Sequence, residues 1–385
     1  MPQSSFSIDV NPKVLQWARE ASGLTTSYIA ERLGISEQTV HQWEKGGKSP
    51  PWQALRQLAN YYQRPVAALL LPESPHDAEA PPDFRTLPSN RRELSSRTLL
   101  AIRTARWLQS RAIEMRRELH MEELFPVKRI QTTQKPEKVA GEYRKVLGIE
   151  LAEQAEWKSR HEAYRHWRES LEDCGALVFQ FPFPVEEVRG FSLFDPICPV
   201  IVVNESDDPL ARVFTLIHEY GHLLLQKPGI CLPQETTTAG DTNVEPYCNR
   251  FAAAVLIPDD VIHAWDVPPD KDERLLDAQL KELAKRLWVS KYVALFRLTG
   301  IGRIARPVSN AIEKRWKTKD AARVPRARTP RSGGPSRIST CRRQRGGAFI
   351  RLVQESEKRG LITTHDAVTY LGVNLIDLKK LESTR

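Results

Sequence analysis

Two histidines four residues apart, with a glutamate directly after the first, stand in "TLIHEYGHLLL", residues 215–225. On a helix that spacing is the chemistry of a metal-assisted hydrolase. Residues i and i+4 share a face, so His218 and His222 can chelate one Zn²⁺, while Glu219, about 100° round, can reach a water on the metal without ligating it. The flanking residues support the helix. Asp207 and Asp208 can cap its start, Pro209 suits the first turn, and Leu210, Phe214, Ile217, Gly221 and Leu224 recur as a buried face beside the histidines. A catalytic zinc also needs a third protein ligand and an open fourth position. "NVEPYCNRFAAAVLIP", residues 243–258, offers that ligand on a second helix: Glu245 just inside its start, Asn249 one turn on, and Ala252, Ala253 and Leu256 as a small, packable stripe ended by Pro258. Small side chains would let this helix approach the first closely enough to share an ion.

HEYGHLLL followed by ExxxNxFAAxxLxP resembles the ImmA/IrrE family of metallopeptidases, and the likeness runs upstream through "RGFSLFD", "PVIVVN" and "RVFTLIHEYGHLLL", over about residues 175–260. The resemblance implies a zincin-like fold with one Zn²⁺ per chain, His218, His222 and Glu245 as metal ligands, and Glu219 as the general base. Gln226 stands where family members often carry His, outside the inferred ligand set. Asn249 is expected to orient a ligand, and Tyr247 to donate to a tetrahedral oxyanion. The polar loop "KPGICLPQETTTAGDTN", residues 227–243, lies between the two ligand helices and is placed to gate the cleft. The runs "ALVFQF", "GFSLF" and "PVIVVN" predict a small sheet, one strand of which could pair with an extended peptide.

A second site is expected near the N-terminus. In "TTSYIAERLGISEQTVHQWEKG" a helix carrying Ile29, Ala30 and Leu33 ends at Gly34, Ile35 plugs the core, and Ser36 caps a second helix with Val40 and Trp43 inward. That is helix-turn-helix spacing, and it leaves Glu37, Gln38, Thr39, Gln42 and Lys45 outward, where such helices reach base edges in a major groove. The stretch resembles the Cro/C1 (XRE-like) helix-turn-helix family. This implies double-stranded DNA as a partner and allows a homodimer, with Lys13, Arg19, Lys45 and Lys48 as phosphate contacts.

A length of 385 residues suffices for two or three domains, and five Cys without CxxC pairing suit a reducing compartment. No apolar run approaches the roughly 20 residues of a membrane span and the polar start lacks a signal-peptide core, so a soluble cytoplasmic protein is expected. The net charge of +9 is matched by nine Arg between Ala321 and Arg351, a stretch with no Lys, Asp or Glu. Net charge therefore says nothing about DNA binding at the other end. The expected fold class is multidomain and mainly α with a small β-sheet, an all-α helix-turn-helix domain plus an α+β zincin-like domain. The expected divisions are the helix-turn-helix domain at 11–71, a Pro-rich linker at 72–89 and the metallopeptidase domain at 90–305. An Arg/Pro-rich flexible segment at 306–348 and a helical, helix-turn-helix-like segment at 349–385 follow. Trp107, Leu108, Ile113 and Met115 are expected to be buried. "LAKRLWVSKYVALFRL" (283–298) and, more loosely, "DAVTYLGVNLIDLKKL" (366–381) echo the helix-turn-helix pattern as packing or dimer units. Trp288 in place of the turn glycine puts the geometry of the first echo in doubt. The segment 323–347 has too little apolar content to fold on its own; it suits an anionic partner or records a local, compensated reading-frame error.

The functional expectation is a DNA-binding regulator fused to a zinc-dependent endopeptidase that cuts a protein, a helix-turn-helix repressor by resemblance, in a stress or mobile-element response. The alternative is a transcriptional or antitoxin-like regulator whose second domain is a non-catalytic sensor or scaffold.

Overall fold

The computed structural model describes residues 9–62, 64–74, 94–121, 128–227, 229–231, 243–265, 273–321 and 336–382. The chain divides into two compact units, Met1–Thr104 and Ala105–Arg385. Among the described residues no helix is long and apolar enough to cross a membrane.

Among the described residues of the first unit, five helices follow in order: α1 (Pro12–Glu20), α2 (Thr26–Leu33), α3 (Glu37–Glu44), α4 (Trp52–Tyr61) and α5 (Val66–Leu69). Asn11, Thr25 and Ser36 each accept a backbone N–H at the start of a helix, and α2 ends at Gly34 with φ 67°. Leu15, Ile29, Val40, Trp43, Leu55, Leu58 and Tyr62 close the core. Arg19, expected as a phosphate contact, is committed to an ion pair within the unit. Its guanidinium donates to both oxygens of Glu44 at 2.6 and 2.9 Å with only 12% of the side chain exposed, which ties α1 to α3. The start of the next helix, α6 (Ser96–Glu118), also belongs here. Ser96 donates to the Gly23 carbonyl at 3.0 Å, and Arg103 reaches the Ser22 hydroxyl and the Tyr62 carbonyl at 3.2 and 3.1 Å.

The second unit is built round a four-stranded sheet of order β1-β3-β2-β4, from β1 (Leu177–Phe181), β2 (Gly190–Leu193), β3 (Val200–Asn204) and β4 (Gly229–Cys231). β1 runs parallel to β3; β2 is antiparallel to both β3 and β4. The three sequence-predicted strands are all present, and β4 comes from within the stretch expected to be a loop; residues 228 and 232–242 of that stretch lie outside the described residues, as do 75–89 of the expected linker. Helices α7 (Pro136–Val146), α8 (Leu151–Glu156) and α9 (Arg160–Asp173) precede the sheet, and α10 (Pro209–Leu224) and α11 (Val244–Leu256) carry the metal-binding pattern.

Asp208 caps α10 and Pro209 opens it, as the sequence implies. The expected single buried face does not hold. Every residue from Thr215 to Leu225 is buried while Leu210 and Phe214 are only half-buried; the helix packs against α9, α11, β2, β3 and β4. In α6, Leu108 and Met115 are buried, but Ile113 is half-buried and Trp107 is exposed, its ring edge-to-face with Tyr370 at 5.4 Å. The buried stripe runs instead through Ala105, Leu108, Ala112, Met115 and Leu119, which puts Trp107 beside it.

The remaining helices are α12 (Asp259–His263), α13 (Glu273–Arg286), α14 (Lys291–Gly300), α15 (Arg306–Ala321), α16 (Arg337–Arg345), α17 (Gly347–Lys358), α18 (Thr364–Leu371) and α19 (Leu375–Glu382). Both echoes keep the turn. Gly372 has φ 67°, and Trp288 adopts φ 52°, so the doubt over its geometry is removed. A bulky residue there costs roughly 1–2 kcal/mol, which packing of its ring on the core and burial of Leu287 and Val289 on either side offset. The Arg-rich segment is not flexible throughout. α16 folds against β1: the Arg343 carbonyl accepts from Arg168 and Gln180 at 2.7 and 2.9 Å, Cys341 is buried, and the Arg345 guanidinium lies 5.5 Å from the Phe181 ring centroid. Low apolar content prevents independent folding but not docking on a finished sheet. Residues 322–335 of the segment lie outside the described residues.

The Arg19–Glu44 pair generates a stability prediction. Removing one partner leaves a largely buried charge uncompensated, so Glu44→Ala should destabilise the first unit by about 2–3 kcal/mol, read as an earlier denaturation midpoint.

Candidate functional site

The helices α10 and α11 bring the three sequence-predicted ligands together. His218 Nε2 and His222 Nε2 are 3.1 Å apart, and each lies 3.2 Å from a carboxylate oxygen of Glu245. Ligands about 2.0–2.1 Å from a tetrahedral zinc are separated by about 3.3 Å, so the spacing fits that ion, and the donor set of two imidazoles and one carboxylate suits it. Both histidines are 1% exposed, whereas about half of the Glu245 side chain is open to solvent. Among the described residues no other group of three or more His, Cys, Asp or Glu converges in this way.

The electrostatics also call for a cation. For Glu245 burial alone would favour the neutral acid, but hydrogen bonds from His218 and His222 win and hold its carboxyl well below the usual range. For His222 burial opposes charge, yet contact with Cys248, Glu245 and Glu219 raises its pKa well above the ordinary imidazole value. The negative field is thus satisfied by a proton on the buried His222 imidazole or by a metal ion in its place. Glu219 is fully buried, and burial raises its pKa despite the two histidines and a hydrogen bond from Ser192. Ser192 Oγ donates to Glu219 Oε2 at 2.7 Å, leaving Oε1 with no hydrogen-bond partner among the described residues.

Several residues that position the site escaped the sequence reading. Ser192 and Gly190 stood only in a predicted strand. A Cβ on Gly190 would fall 2.4 Å from Thr215 Cγ2 and 2.7 Å from the Val202 carbonyl, so β2 can lie on α10 only with glycine there. Gly221 was expected merely to face the core. A Cβ there would meet Cys248 Sγ and Phe251 Cδ1, both at 3.2 Å, so the approach of α10 to α11 runs over this glycine as well as the expected buried Ala252 and Ala253. Nothing local in the sequence marks these contacts, because each partner lies on another element.

Asn249 is half-buried one turn beyond Glu245 on the same face of α11. Tyr247 is not brought to the cluster. It lies about 200° round the helix from Glu245, near Glu137, Tyr143 and Arg250, with its hydroxyl unpartnered among the described residues and its pKa pushed up to about 12 by burial. Gln226 is exposed just past the end of α10 with φ 54°.

In the first unit, the residues expected to face DNA divide by exposure: Glu37, Gln38 and Lys45 of the α3 region are exposed, and Thr39 and Gln42 are half-buried. Thr26 donates to Glu37 Oε1 at 2.5 Å, and the Thr39 and Ser36 hydroxyls are 2.8 Å apart, so these two side chains are partly committed to holding the turn. Lys13, Lys45 and Lys48 are exposed on the same unit.

Residues 171–299 match the family model described as IrrE N-terminal-like domain, and residues 13–70 match the one described as Helix-turn-helix domain. The radiation response metalloprotease IrrE of Deinococcus radiodurans is 37% identical over 112 residues, 28% of this chain and 32% of that protein. The match therefore spans about a third of the relative's length. No solved structure matches the chain.

Gly190→Ala should force β2 off α10 at a point where one of the colliding atoms is backbone. The expected result is destabilisation of the second unit by about 1–3 kcal/mol, measured by thermal unfolding.

Proposed function

We propose that this chain, a helix-turn-helix DNA-binding domain fused to an IrrE-like metallopeptidase domain, is a transcriptional regulator that hydrolyses peptide bonds in a protein substrate with the help of one zinc ion. The observation that carries the reading is the meeting of His218, His222 and Glu245 at 3.1–3.2 Å beside a buried glutamate with one oxygen bonded to Ser192 and the other without a partner among the described residues. His218, His222 and Glu245 would hold the zinc. When bound, the ion supplies Lewis acidity, polarising a scissile carbonyl and making water a nucleophile at neutral pH.

Glu219 takes the proton of the attacking water at Oε1 and returns it to the leaving amine. Its burial keeps that carboxylate out of bulk solvent, and its Ser192 bond fixes which oxygen is presented. Asn249, on the Glu245 face of α11, orients the carboxylate ligand. At the sheet edge, the Val178 carbonyl of β1 already accepts from Arg168 and α16 packs on that strand, so an extended substrate strand is expected at the β4 side. Exposed Gln38 and Lys45 at α3 read the DNA.

The substrate is a repressor of the helix-turn-helix class acting at the same operator as this chain's own DNA-binding unit, and its cleavage relieves repression under stress. A non-catalytic scaffold would have no use for a carboxylate buried beside the two histidines, since burying an ionisable group costs stability.

Glu219→Gln should keep zinc and operator binding but lower repressor cleavage by about 10²–10⁴-fold. Cleavage by gel assay and DNA affinity by anisotropy, run on the same preparations, check this; equal cleavage by variant and wild type would remove Glu219 from the mechanism.

A further inference from the structure

We infer that Ser192 is a positioning residue that keeps Glu219 a base rather than a fourth metal ligand, an assignment that rests on the metallopeptidase reading above. A carboxylate is a competent zinc ligand, and a three-ligand site has an open position that a neighbouring carboxylate could close. Glu219 directly follows one ligand and shares the buried turn of α10 with the other. Something must hold it back.

The restraint is the 2.7 Å hydrogen bond from Ser192 Oγ to Oε2, between side chains of residues that are 1% and 0% exposed. Its strength as a restraint comes from where Ser192 sits. β2 is an inner strand, with Ser192 paired to Ile201 on one side and Gly229 on the other, so the hydroxyl is borne by backbone fixed from both flanks. Gly190, two residues earlier, lets that strand lie on α10, and a Cβ there would stand 3.8 Å from Glu219 Cγ, so the stem of the glutamate runs along the glycine. The stem is therefore confined by the strand and one carboxylate oxygen is anchored to it, while Oε1 remains for proton transfer.

The choice of residue fits this role. All four residues of β2 are buried, and at such positions β-branched and aromatic side chains are favoured. A buried hydroxyl is costly unless hydrogen-bonded, and the partner for this one is the Glu219 carboxylate. Alanine at 192 would remove the anchor and leave the carboxylate free to turn towards the cation.

The test uses the full chain with Co²⁺ in place of zinc, in wild type, Ser192→Ala, Glu219→Ala and the double variant. The visible absorption of bound cobalt shifts when one of its ligands is exchanged. Ser192→Ala should still bind one Co²⁺ per chain but show a spectrum shifted from that of wild type, because the Glu219 carboxylate would take the open fourth position, and the shift should vanish in the Glu219→Ala background. On a quenched fluorogenic peptide library Ser192→Ala should lose about 10–100-fold in kcat with KM unchanged. A Ser192→Ala spectrum identical to wild type would overturn the assignment, as would a change that persists without Glu219, since Ser192 would then act through strand packing. A wild type that takes up cobalt but cleaves nothing would count against the peptidase reading and leave the spectral comparison decisive for Ser192; a wild type that takes up no cobalt would overturn both.

Discussion

A helix enclosed on every side has no solvent to neutralise what it carries. From Thr215 to Leu225 α10 is wholly buried, yet that stretch holds His218, Glu219 and His222. Their charges and hydrogen bonds must be met inside the protein, and much of the second unit follows from that need. Glu245 is brought in by α11, whose approach runs over Gly221; Ser192 is brought in by β2, whose approach depends on Gly190. With those partners in place the imidazoles and the carboxylate converge on a space that suits one cation, and the fourth polar group stands beside it without joining it.

The opposite end of the same helix meets the same constraint by other means. Buried Arg212 donates to Gln180 of β1, Gln180 donates to the Arg343 carbonyl, and Arg168 bridges Glu172, the Val178 carbonyl and the Arg343 carbonyl. This network makes the late Arg-rich helix α16 part of the unit. Its guanidiniums and carbonyls serve as partners for a sheet edge, a use for which apolar content is not required. The cluster and the network thus lie at the two ends of one helix, and each supplies partners to its buried charged groups.

What was legible in the sequence is what local pattern encodes. The i, i+4 histidines, the Asp208–Pro209 start, the carboxylate one residue into α11 and the Gly34 turn each follow from helix periodicity and capping, and three of four strands follow from β-rich runs. What was not legible depends on partners distant in sequence. Ser192 and Glu219 are 27 residues apart, Arg19 and Glu44 are 25, and Arg168 and Arg343 are 175. Trp288 shows the same limit from the other side. Its type argued against a left-handed turn, and tertiary packing imposed one.

On the proposed reading His218, His222 and Glu245 hold one zinc ion. The most direct measurement is the metal content of the purified full chain by elemental analysis, with His222→Ala prepared in parallel. About one zinc per chain is expected in the wild type, with its loss in the variant. A metal-free wild type that takes up no added Zn²⁺, or a variant that retains the full complement, would contradict it.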